Sequence, residues 1–137
     1  LPAGFTDLGT TNYGSDVHAT LDGTLWTGAT NLGLGANGVF ALGGQTTKYS
    51  LQILNTTPVA GAVTFNMLAG AKVTLLDFET GHSWGGISGD SGTIHYNGVV
   101  DGVRTLGNFS GKLAPNFQGG SPVVVTNGSF NVRVDAP

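Results

Sequence analysis

The chain has 137 residues, of which only 8 are acidic and 5 basic, for a net charge of −3, while 24 are glycine and none is cysteine. A charged fraction of 9% is far below the ~25% usual for soluble domains, and the charges are scattered singly, which argues against a nucleic-acid surface. The missing cysteines exclude disulfides, thiolate catalysis and cysteine–zinc sites, and no run reaches the ~18 apolar residues of a membrane-spanning helix.

From the N-terminus, residues 1–15 read as an extension ahead of a β-sandwich domain spanning 16–137. Leu1, Ala3 and Phe5 alternate before Asp7 breaks the pattern, and residues 9–15 have the composition of a tether. The segment is either a strand offered to the open sheet edge of another subunit or a first strand packed on its own sandwich. Residues 17–21 and 24–27 then flank Asp22-Gly23 as a hairpin. Further strands are expected at 39–42, 49–54, 62–65, 72–78, 93–96 and 103–113, the last with Gly107 and Gly111 marking a bulge or a close packing contact. Residues 121–126 and 129–134 flank Asn127-Gly128 as a closing hairpin, in which Phe130, Val132 and Val134 alternate against Asn131 and Arg133, one buried face and one wet. Asn37-Gly38, Asn97-Gly98 and Asp101-Gly102 complete five Asx-Gly pairs. Each favours a tight turn, because type I′ geometry needs positive φ at both central residues. No segment carries apolar residues at helical spacing. The expectation is an all-β, antiparallel sandwich of about 8 to 10 strands with essentially no helix.

Three groups of residues invite a chemical reading. Gly89-Asp90-Ser91-Gly92 matches the tetrapeptide around the nucleophile of chymotrypsin-like proteases, with His18 or His82 as base and Asp22 or Asp77 as orienting acid. That family needs two barrels and more chain, so a turn leading into a strand accounts for the same residues and no enzyme is expected. Asp77, Glu79 and His82 bring two carboxylates and an imidazole close together, either a metal or acid–base site or solvated side chains at a strand end. Trp84 sits in the glycine-flanked stretch His82-Ser83-Trp84-Gly85-Gly86, read as a loop where an indole stacks on a sugar, inserts into a neighbouring subunit, or caps the sandwich. Trp84, His82 and Tyr96 are the candidate binding residues, and Trp26, just after a turn, is expected in the core. Asn-x-Ser/Thr sequons begin at Asn55, Asn108 and Asn127. No cofactor is expected.

The stretch from Val17 through Asp22-Gly23 to Trp26 and Gly28 resembles the opening of a family of small exported bacterial proteins of unknown function, common among Bacteroidetes lipoproteins. Gly89-Asp90-Ser91-Gly92-Thr93-Ile94 resembles an internal strand of that family, residues 106–113 its Gly-x-Phe-Ser-Gly strand, and residues 123–134 its closing hairpin. Pro2 to Gly9 is also similar to the start of some phage tail proteins. The family resemblance implies an exported β-sandwich at the cell surface or outside the cell, and transfers no catalytic residue. The family's lipid-attachment cysteine is absent here. With the charge-poor surface, the expected function is a non-catalytic, self-assembling structural protein, a homo-oligomer or polymer joined through sheet edges or through Leu1, Ala3 and Phe5. The alternative is a monomeric module binding carbohydrate or another surface ligand around Trp84.

Overall fold

Alternation of apolar and polar side chains builds both sheets. In β1 (Asp16–Leu21) Val17, Ala19 and Leu21 are buried while Asp16, His18 and Thr20 are half-exposed, and the same parity runs through β5 (Tyr49–Asn55) and β7 (Ala71–Asp77). The computed structural model describes residues 16–36, 39–57, 59, 61–100 and 104–133. The other strands among them are β2 (Thr24–Thr27), β3 (Thr30–Ala36), β4 (Val39–Gln45), β6 (Ala62–Asn66), β8 (Ser83–Gly85), β9 (Ser91–Val100), β10 (Arg104–Leu113) and β11 (Val123–Arg133). They form a six-stranded sheet in the order β2-β1-β11-β10-β9-β6 and a five-stranded sheet in the order β3-β4-β5-β7-β8. Every strand pair is antiparallel, and the described residues contain no helix. The chain is therefore the β-sandwich its turn spacing suggested.

Between the sheets lies one core. The six-stranded sheet contributes Val17, Ala19, Ile94, Tyr96, Phe109, Val125 and Phe130, and the five-stranded sheet Phe40, Leu42, Leu51, Ile53, Val73 and Leu75. Each such side chain contributes ~1.5–3 kcal/mol on burial, a driving force that needs no disulfide. Trp26 is in this core, as expected, with its indole N–H donating to Thr46 Oγ1 at 3.1 Å.

Asp22-Gly23 turns the β1–β2 hairpin with φ of 48° and 86°, the left-handed pair that type I′ demands. Asn127-Gly128 does something else. It lies inside the continuous strand β11, where the register slips by one residue against β1, between His18 and Thr20, and against β10, between Phe109 and Gly111. Asn127 has φ of 50°, so the pair is a β-bulge and not the expected hairpin turn. The extra residue switches the strand's parity: Val123 and Val125 point into the core before it, Phe130 and Val132 after it. Asn131, expected on a wet face, is buried. Asn97-Gly98 likewise lies within β9, opposite a register slip between Thr105 and Gly107, and does not turn the chain. Asn37-Gly38 and Asp101-Gly102 lie outside the described residues, as do Leu1, Ala3 and Phe5 and the whole of the extension.

Two strands, β3 and β8, fall outside the segments expected from the sequence. β3 reads Thr-Asn-Leu-Gly-Leu-Gly-Ala, and its glycines hide it because glycine is depleted in strands. β8 is three residues long and ends at Gly85, with φ of 87°. Gly107 belongs to a close packing contact: an added Cβ would lie 2.1 Å from Phe130 Cζ and 2.2 Å from the His95 carbonyl oxygen.

Candidate functional site

The β7–β8 hairpin and the segment after β10 converge at one end of the five-stranded sheet. Asp77 shapes the hairpin: its Oδ1 accepts from the backbone N–H of Glu79 at 2.8 Å and of Thr80 at 3.4 Å, while its own N–H donates to the His82 carbonyl at 2.8 Å. Lys48 Nζ lies 3.1 Å from Glu79 Oε2 and 3.8 Å from Asp77 Oδ2, and the hydrogen bond to Glu79 raises the Lys48 ammonium above its ordinary value. The exposed pair adds little stability, because water competes for both charges.

Residues 114–116 seal the free edge of β8. Gly85 N–H donates to the Ala114 carbonyl at 2.8 Å, Asn116 N–H to the Ser83 carbonyl at 2.8 Å, and Asn116 Nδ2 to the Gly85 carbonyl at 3.0 Å. This places Phe117 against the hairpin. His82 stacks on the Phe117 ring, centroids 3.9 Å apart and planes 14° off parallel, and Trp84 meets the same ring edge-on at 5.4 Å. Trp84 lies on β8 and not in a loop; it is half-buried against the core, and its indole N–H donates to the Ser121 carbonyl at 3.0 Å. The structure thus joins His82 and Trp84 through Phe117, a residue the sequence did not single out. It does not bring Tyr96 to them. Tyr96 is fully buried among Phe40, Phe65 and Phe130, and its hydroxyl donates to Asn55 Oδ1. Burial raises the phenol's pKa, and a binding role at the surface is excluded for it.

Asp77, Glu79 and His82 do not form a ligand set. The Asp77 carboxylate is engaged in the turn, His82 is stacked on Phe117, and no group of three or more metal-ligating side chains occurs among the described residues. The protease-like tetrapeptide is also accounted for locally. Asp90 Oδ2 accepts from Gly86 N–H at 2.8 Å and its Oδ1 from Ala114 N–H at 2.9 Å, pinning the β8–β9 turn to the segment after β10. His18 pairs with Asp16 at 2.7 Å, and Asp22 Oδ1 accepts from Val124 N–H at 2.7 Å. Of the sequon residues, Asn55 is 1% exposed, whereas Asn108 and Asn127 are at the surface.

The sheet edges differ sharply. β2 has four residues, β6 five and β8 three, with β8 covered as described. β3 runs seven residues in unbroken register, Thr30 opposite Gln45 to Ala36 opposite Val39, and among the described strands it pairs with β4 alone. Compared with known proteins, the chain matches no family model, no curated protein and no solved structure.

Proposed function

We propose that this chain is a non-catalytic structural protein, exported to the cell surface or beyond, that associates with copies of itself through β3. The observation that carries this is the edge itself. A long edge strand presents a row of backbone donors and acceptors, and proteins that remain monomeric blunt such edges with charge, proline, bulges or covering segments. β3 has no charged residue, no proline and no register slip. The chain as a whole is charge-poor, with 9% of its residues charged, so contact between copies buries few ions and incurs little desolvation cost. The resemblance to small exported bacterial proteins supports the location. Antiparallel pairing of β3 with β3 of a second copy would continue the five-stranded sheet across both subunits and close as a dimer; a filament requires a second pairing edge.

The carbohydrate reading centred on Trp84 has less support, because the indole is held against the core and its N–H is engaged. Sedimentation velocity and electron microscopy of the full chain test the proposal. The wild-type protein is expected to associate with rising concentration, and Leu34→Lys, which places a charge in the edge strand, to remain monomeric. A wild-type protein that stays monomeric throughout refutes it. Association lost in Phe5→Asp but kept in Leu34→Lys would instead assign pairing to the N-terminal segment.

A further inference from the structure

The outer face of the five-stranded sheet carries a groove of about 380 Å³ over β4 and β5, within the ~300–1,000 Å³ range of small-ligand sites. Its floor is open because Gly43 has no side chain. The register orders its lining into three rows. Thr30, Gln45 and Ser50 are cross-strand neighbours at one end, Gly43 faces Gln52 in the middle, and Ala41 faces Leu54 at the other end. Hydroxyls and a primary amide therefore lie at one end, methyl groups at the other, and a second amide between them. Gln45, Gln52, Ala41 and Leu54 are all exposed, so these groups are available without rearrangement.

Among the described residues that line the groove none is charged; Lys72 stands beside it, opposite Leu54 on β7. An ionic ligand would give up hydration with no charged group in the lining itself to receive it, and a purely apolar one would leave the two amides facing it unpaired. The chemistry that satisfies both ends is an uncharged molecule with a hydroxyl-rich edge and a C–H-rich face. We propose that this groove binds a neutral saccharide, with Gln45, Ser50 and Gln52 hydrogen-bonding its hydroxyls and Leu54 and Ala41 lying against its ring. This goes beyond the assembly reading and does not depend on it.

Amide NMR of the full-length protein at low concentration tests it, with maltose, cellobiose and N,N′-diacetylchitobiose as neutral probes and glucuronic acid as the charged one. At least one neutral disaccharide is expected to shift the resonances of Gly43, Gln45 and Gln52 saturably, and glucuronic acid to bind more weakly. Gln45→Ala and Gln52→Ala, both solvent-facing and so compatible with the fold, are each expected to weaken binding about threefold to tenfold, the loss of one hydrogen bond. The proposal is overturned if no neutral probe moves these resonances, if the shifts map to His82 and Phe117 instead, or if the alanine variants bind as tightly as wild type. Groove shifts that grow with protein concentration in the absence of sugar would assign the face to a second copy and overturn it equally.

Discussion

Replacing Tyr96 with phenylalanine deletes one oxygen from the centre of the core and leaves the aromatic packing with Phe40, Phe65 and Phe130 intact. What changes is the hydrogen bond to Asn55. Asn55 is 1% exposed, and its Nδ2 is buried without a partner, so after the substitution neither end of the amide is satisfied. A buried acceptor stranded in this way costs ~1–3 kcal/mol, a large share of a typical total stability of ~5–15 kcal/mol. Asn55→Leu strands the phenol in turn. The double variant Tyr96→Phe/Asn55→Leu removes every polar group from the site, including the amide nitrogen that has no partner in the wild type. It should therefore be more stable than the sum of the single variants predicts, with a coupling of ~1 kcal/mol or more. Urea unfolding followed by tryptophan emission measures all four proteins, with an unchanged slope confirming a common reference state. The reasoning fails if Tyr96→Phe unfolds within ~0.5 kcal/mol of wild type, or if the double variant loses the full sum.

The same tyrosine predicts the alkaline limit. Burial raises the Tyr96 pKa in the folded state, so above the ordinary phenol value of ~10 the unfolded chain loses a proton that the folded chain keeps. Stability is then full below that pH and falls as pH rises through it, at up to ~1.4 kcal/mol per pH unit; denaturation midpoints across alkaline pH should show this slope, and Tyr96→Phe should lack it. Asp90→Ala frees two backbone donors and should cost ~1–3 kcal/mol in thermal or urea unfolding, whereas Ser91→Ala should lie within ~0.5 kcal/mol of wild type; the reverse order would mean the tetrapeptide is more than a turn. Gly107→Ala drives a methyl into Phe130 and the His95 carbonyl and should cost more than ~2 kcal/mol. Gly119→Ala, at φ of 79° with nothing nearby, should cost only ~1–2 kcal/mol, and equal losses in calorimetry would contradict the packing argument.

Much of the sandwich was legible locally. Strands with clean alternation, such as β1, β5 and β7, declare both their existence and their buried face, because period-two patterning has one geometric solution. The candidate site was legible only in part. His82 and Trp84 stood out as aromatics among glycines, but Phe117 reaches them from beyond β10, and a stretch reading Pro-Asn-Phe-Gln-Gly-Gly carries no pattern that points to a partner. Tyr96 is buried and not at a binding surface for a related reason: the sequence shows that it belongs to a strand but not that Phe40, from the other sheet, packs against it.

The sequence by itself determined that this protein is all-β, antiparallel and poor in charge, since strand periodicity and Asx-Gly chemistry are local properties of the chain. What Asn97-Gly98 and Asn127-Gly128 do was decided by the tertiary structure. An Asn-Gly pair accommodates left-handed backbone equally well in a hairpin turn and in a bulge, and its own residues do not distinguish the two. The flanking strands do: β11 is held on both sides, by β1 and β10, so it runs straight through and absorbs one extra residue, while β1 at Asp22-Gly23 folds back on β2. The edge position of β3 arises in the same way: among the described strands it finds β4 on one side and no second neighbour.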